Sequence, residues 1–255
     1  MRRADADAQL NDQQRAIAET GVKALIPIGR PFLDYVLTAL AKAGYRQVCL
    51  VVAPQHDVIR DYYHRQVKPQ RLSIDFAVQV EPRGTADAVA AAETFAGHDP
   101  FLVINSDNYY PTEALRGLRE LSGCGTALFE RESMFAQSNI SADRLRQFAV
   151  GKIDSQGLLT RILEKPDEVT LATLPRPLWL SMNCWRFEPS IFDACRHIQP
   201  SPRGELELPD AVQYTIDTLK QPFKVVEVRA AVLDLTSRRD VASMAEKLAE
   251  MEVQF

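Results

Sequence analysis

Two aspartates close apolar runs in this chain: Asp107 follows Phe-Leu-Val-Ile (101–104) and Asp234 follows Ala-Val-Leu (231–233). Open α/β sheets collect their ligands at the carboxyl ends of strands, so an acid at that place can serve chemistry. It can equally end a strand and start a turn, and position alone leaves both readings open. Two carboxylates on separate segments are nonetheless the donor set that a hard divalent cation takes, with substrate phosphates completing the shell. Two lysines stand in comparable settings. Lys23 precedes Ala-Leu-Ile-Pro-Ile, and Lys165 lies in Leu-Glu-Lys-Pro (163–166) at the end of an apolar strand. Most lysines are surface residues, and a Glu164–Lys165 pair at a strand end contributes little stability.

The elements that must carry these groups are legible from periodicity. Ile74, Phe76, Val78 and Val80 alternate as in a strand, Pro82 ends it, and Gly84 supplies a turn without a Cβ, where a flat ligand can approach the backbone. Thr85 is placed to cap an alanine-rich helix over 85–95. The unbroken apolar runs 47–53 and 101–104 predict strands of the kind buried on both faces of a parallel sheet. Between residues 32 and 43 the apolar positions recur at helical spacing, with Gly44 as the stop. Further helices are expected over 57–65, 112–121, 189–197, up to about 219 and from Ser237 to 251. Strands are expected over 125–130, 178–187 and 223–228, with a hairpin over 148–164 turning at 154–157. Residues 132–146 are polar and carry no assignable period; 166–177 hold three prolines and read as a loop over the site.

Composition narrows the class. The 255 residues, 46% hydrophobic with net charge −4, suffice for one large domain over 1–255 and show no basic stripe for nucleic acid. No apolar run approaches the roughly 18–20 residues of a membrane span, and no apolar signal segment opens the chain. The four cysteines lack CxxC spacing and read as reduced core residues of a cytoplasmic protein; the four histidines make no zinc-ligand pair.

Taken together, Lys23-Ala-Leu-Ile-Pro, Gln79-x-x-Pro82-x-Gly84-x-Ala86, Ser106-Asp107-Asn108, Glu164-Lys165-Pro166 and Arg203-Gly-Glu-Leu-Glu207 resemble the sugar-phosphate nucleotidyltransferase family over nearly the whole of 22–241. Ser106 stands where the family has glycine, and Leu-Thr-Ser follows Asp234 where it has Ile-Gly-Thr. The resemblance implies an α/β three-layer sandwich with a mostly parallel, Rossmann-like sheet and a smaller antiparallel sugar-facing part. It implies transfer of a nucleotidyl group from a nucleoside triphosphate to a sugar 1-phosphate, with release of pyrophosphate. By the same resemblance Lys23 and Lys165 are catalytic cations, and Gln79, Pro82, Gly84 and Thr85 bind the nucleotide. Glu164, Lys165 and Asn183 bind the sugar phosphate, and Asp107 and Asp234 hold Mg²⁺. Asn183 also has a plain reading, as a buried amide satisfying its neighbours; Glu205 and Glu207 either approach the sugar or only cap and pair locally, and the structural reading is favoured. A catalytically inactive sensor of nucleotide or nucleotide sugar would share the same pocket. A glycosyltransferase would need Asp-x-Asp, which 106–108 does not supply.

Relatives open with a hydrophobic strand and a Gly-x-Gly-Thr-Arg loop, and Met1-Arg2-Arg3 resembles the continuation of that loop. The expectation is that Met1 is internal, that residues 1–20 are a polar segment, and that a strand-wide gap lies beside strands 47–53 and 101–105.

Overall fold

The computed structural model describes residues 11, 14, 15, 17, 22–237 and 240–255. Apart from those four positions, the polar segment 1–20 lies outside the described residues.

Among the described residues ten strands follow in chain order: β1 Gln47–Val52, β2 Ser73–Val78, β3 Phe101–Val103, β4 Asn108–Tyr109, β5 Cys124–Glu130, β6 Val150–Ile153, β7 Leu158–Leu163, β8 Trp179–Phe187, β9 Phe223–Val228 and β10 Leu233–Asp234. They form three sheets. β1 and β2 are a parallel pair, β4 and β10 an antiparallel pair, and the remaining six run in the order β3-β8-β5-β9-β7-β6. Within the six, β5–β9 is parallel and every other pairing is antiparallel; a contact between β6 and β8 closes five of the strands into a ring. The α/β class therefore holds, but the sheet is mixed and not mostly parallel. An apolar run reports burial and says nothing about strand direction. The 101–103 run pairs antiparallel with β8 and is only half-buried, as is most of β1.

The helix Phe32–Ala43 is buried along almost its whole length. Gly44 ends it at φ 97°, and the amides of Gly44 and Tyr45 turn back to the carbonyls of Ala41 and Leu40, a left-handed cap that glycine adopts without penalty. Its Asp34 is fully buried and accepts hydrogen bonds from the hydroxyls of Tyr62 and Tyr63, both at 2.9 Å, with Arg30 3.4 Å away. Burial raises the Asp34 pKa against the opposing pull of those donors.

Apolar side chains divide into two clusters. One holds the 32–43 helix together with Leu102 and Ile104; the other holds Val89, Trp185, Phe187 and Phe223 together with Phe101 and Val103. β3 thus sends alternate side chains into two cores, as its pleat requires. β1 and β3 do not pair with each other, and a cavity of about 690 Å³ is lined by both. Residues 131–145, without an assignable period in the sequence, contain two short helices, Arg131–Gln137 and Ala142–Leu145.

Candidate active site

The segments that carry the two carboxylates are joined through the backbone. β4 and β10 pair with Asn108 opposite Asp234, and the amide of Leu235 donates to the carbonyl of Asp107 at 2.8 Å. Both acids line one cavity of about 170 Å³ with Asn105, Asn108, Arg144, Ser181, Asn183 and Thr236. Lys23, in the single turn Lys23–Leu25, reaches Asp107 at 3.3 Å. Asp234 is buried; its Oδ1 accepts from Asn108 Nδ2 at 3.1 Å and from the Thr236 hydroxyl at 2.8 Å, while Oδ2 takes the Arg144 guanidinium. Arg144 also approaches Asp240 at 3.6 Å. The same segment grips the strand itself, since the Asn139 amide bonds both the N–H (2.9 Å) and the C=O (2.8 Å) of Asp234. Each acid of the pair therefore carries one basic partner.

These donors fit a hard cation. Two carboxylates and several amide and hydroxyl oxygens share a polar cavity, a set that a hard cation takes only with substrate phosphates completing its shell, since the described residues hold no group of three or more His, Cys, Asp or Glu side chains placed for a metal ion. Behind the cavity the buried Tyr110 hydroxyl donates to the carbonyl of Met182 at 2.6 Å, fixing β8 where Asn183 enters. Asn183 has φ 53°, and Lys165 has φ 42°; with Lys220 these are the described non-glycine residues in the left-handed region. Such backbone costs of order 1–3 kcal/mol and clusters at ligand sites. Among the described residues the Asn183 amide oxygen accepts one long bond, 3.4 Å from the Trp185 indole.

Glu164 and Lys165 are not among the residues lining that cavity. They stand beside Glu207 and Arg203, and the Glu164 pKa is raised by burial first and by Glu207 second. Arg203 holds Glu207 at 2.8 Å, the local pairing expected of that acid. On the other flank, the Gln79 side-chain amide donates to the carbonyl of Gly84 at 3.0 Å and to Asp87 at 2.9 Å. One reading there is corrected, and a second gains a neighbour. Gly84, not Thr85, is the N-cap of the helix Thr85–Ala91, and the Thr85 hydroxyl instead accepts the amide of Leu208 at 2.9 Å. The missing Cβ of Gly84 makes room for protein: a Cβ there would lie 2.4 Å from the carbonyl oxygen of Leu206. The two loops are zipped by Leu206 N–H to Arg83 C=O (2.7 Å) and Ala86 N–H to Leu206 C=O (2.9 Å). Pro82 sits exposed at this turn. Sequence reasoning missed Arg144, Asn139 and Thr236; Arg144 and Asn139 lie in the stretch without a period, and no local signal marks them.

A family model described as nucleotidyl transferase matches residues 15–250. The low-salt glycan biosynthesis nucleotidyltransferase Agl11 of Haloferax volcanii is 30% identical over 208 residues, covering 80% of this chain and 54% of that protein. A glucose-1-phosphate thymidylyltransferase of Streptomyces antibioticus is 30% identical over 207 residues, again 80% of this chain and 54% of that protein. The chain thus spans about half the length of both relatives. A solved UDP-glucose pyrophosphorylase, complexed with UDP-glucose, superposes with a TM-score of 0.72 at 15% identity, covering 95% of this chain and 96% of that one, which shows a shared fold. No helix among the described residues is long and apolar enough to cross a membrane. With the model match running over most of its length, the chain belongs to the nucleotidyl transferase family.

Proposed function

We propose that this chain transfers a nucleotidyl group from a nucleoside triphosphate to a sugar 1-phosphate. The placement of Asp107 and Asp234 on hydrogen-bonded neighbouring segments, lining one polar cavity with Asn183, carries the reading. In this reaction an oxygen of the sugar phosphate attacks the α-phosphorus, and the bond to pyrophosphate breaks. The attacking phosphate is already ionised, so the site needs no general base, and positioning with charge neutralisation does the catalysis. Lys23 and Lys165 supply those charges, one toward each phosphate partner. Asn183 and Glu164 hold the sugar hydroxyls. Gln79 and the backbone at Gly84, with Pro82 and Thr85 beside them, hold the base edge. Asp107 and Asp234 would hold Mg²⁺, whose role when bound is to neutralise and orient phosphate oxygens.

Pyrophosphate release tests this, measured with Mg²⁺ across the nucleoside triphosphates and hexose 1-phosphates. The names of the relatives put thymidine or uridine triphosphate with glucose 1-phosphate first. Turnover with one pair supports the reading, and silence with every pair refutes it. One observation favours a second reading, an inactive nucleotide or nucleotide-sugar sensor: both carboxylates already hold a basic side chain. Calorimetric binding of nucleotide sugar without turnover would select the sensor.

A further inference from the structure

Among the described residues, Arg144 is the one basic side chain lining the cavity of about 170 Å³ that holds Asp107, Asp234 and Asn183. Lys165, the cation assigned to the sugar phosphate, lies outside that lining. Arg144 is set in place from two sides. Its segment is anchored by the buried Ile140 and Leu145 and by the Asn139 amide on the backbone of Asp234. Its guanidinium meets Asp234 through Nη2, and Nη1 stands 3.6 Å from Asp240. A guanidinium carries five N–H groups in a planar fork. Among the described residues Arg144 donates one hydrogen bond, to Asp234. The side chain is 33% exposed, and no buried side-chain nitrogen or oxygen of the described residues lacks a partner, so its other N–H groups are open. The two acids orient the fork and leave most of its donors unspent.

We infer that Arg144 binds the phosphate of the sugar 1-phosphate through those N–H groups. A phosphate accepts two parallel bonds from such a fork, which a lysine does not offer. The carboxylates of the cavity do not forbid an anion, because Lys23 stands 3.3 Å from Asp107 and Arg144 itself covers Asp234. The sugar phosphate is favoured over the nucleotide because Asn183 lines the cavity, whereas Gln79, Pro82, Gly84 and Thr85 do not. Arg144 makes and breaks no covalent bond; it aims the attacking phosphate and offsets its charge. The identity of the ligand rests on the proposed reaction, and the experiment separates the two.

Calorimetry on the intact chain with MgCl₂ measures binding of glucose, galactose and mannose 1-phosphates and, separately, of UTP, so that no turnover occurs. Arg144→Gln should weaken the best-bound hexose 1-phosphate at least about tenfold and UTP less than about threefold. Arg144→Lys keeps a charge beside Asp234 but loses the fork, and should weaken the hexose 1-phosphate about three- to tenfold. The lysine variant decides the matter if the glutamine variant does not fold. Arg144 acting only as scaffold would weaken both ligand classes alike or neither. Equal losses for both classes, an unchanged hexose 1-phosphate affinity in Arg144→Lys, or a parent that binds no hexose 1-phosphate would overturn the inference. Binding that depends on Arg144, in a chain that turns over no substrate pair, would refute the proposed reaction and uphold this assignment.

Discussion

Replacing Arg144 by alanine separates a structural ion pair from a latent cation site. Asp234 and Asp240 have side chains only 6% and 9% exposed, and they share this one guanidinium. Removing one partner of a buried pair costs roughly 3–5 kcal/mol. Two features reduce that figure here: Arg144 is itself 33% exposed, and Asp234 keeps its bonds from Asn108 and Thr236. A loss of about 1.5–3 kcal/mol follows, which for a chain of this size is a fall of roughly 4–10 °C in Tm. The diagnostic part is the response to magnesium. If Asp234 is a metal ligand, vacating Oδ2 lets a divalent ion replace the lost charge, and at a hundredfold excess over its Kd such an ion returns about 2.7 kcal/mol. Calorimetric melting with and without MgCl₂ should therefore show a larger magnesium shift in Arg144→Ala than in the parent. Arg144→Ala combined with Asp234→Asn should recover part of the stability and lose the magnesium response. Equal magnesium shifts in parent and variant would refute the reasoning and leave Arg144 as scaffold.

Three further outcomes are expected. Asp107→Asn should lower Mg²⁺-dependent turnover at least about a hundredfold while moving stability by less than about 0.5 kcal/mol, because the acid is part-exposed; retained activity would refute its role as a ligand. Gly84→Ala must hold φ 125° and place a Cβ 2.4 Å from a backbone oxygen, so urea unfolding should show a loss of about 2–4 kcal/mol, whereas Gly97→Ala, at φ 58° with open space, should lose about 1 kcal/mol. Asp34 has a pKa raised by burial, so its protonated form is favoured by folding, and its contribution is greatest below the unfolded carboxylate value and declines as pH rises through the folded one. Relative to Asp34→Asn, the parent should lose stability on raising the pH from about 4, read from urea midpoints; a parallel pair of profiles would contradict the assignment.

Where the physics is local, the sequence spoke clearly. The 32–43 helix with its Gly44 stop, the 150–163 hairpin and the strands at 124–130 and 223–228 each follow from a period and a turn residue. Direction was not legible, because Phe101–Val103 has the same hydrophobicity whether β8 runs with it or against it. Arg144 was not legible either. Its helix is one turn long and polar, and Arg144 is placed by Asp234 and Asp240, acids that lie 90 residues or more away in the chain. Gly84 was read for its missing Cβ, but the backbone of Leu206, 122 positions on, which also requires that absence, was not legible.

That last case bears on how the two halves of the site communicate. The 79–87 turn is tied to 203–208 by three backbone-directed bonds, and Glu207 at the end of that segment stands beside Glu164. The loop assigned to the base is therefore braced on a strip of chain whose charges reach the acid assigned to the sugar. Asp107 and Asp234 are braced on another, the β4–β10 pair, which Asn139 grips from behind. Within each strip a shift at one residue is carried to its partner through short backbone bonds. β8 carries Asn183 into the cavity, is fixed by Tyr110 just past β4, and sends Trp185 and Phe187 into the same apolar cluster as Ala86 and Leu208 of the first strip. Tyr110→Phe removes the 2.6 Å bond to Met182 and leaves the packing, so it should cost about 1–2 kcal/mol. If β8 couples the strips, the same variant should raise KM for the sugar phosphate more than for the nucleotide. Equal changes in both KM values would mean that the strips act independently.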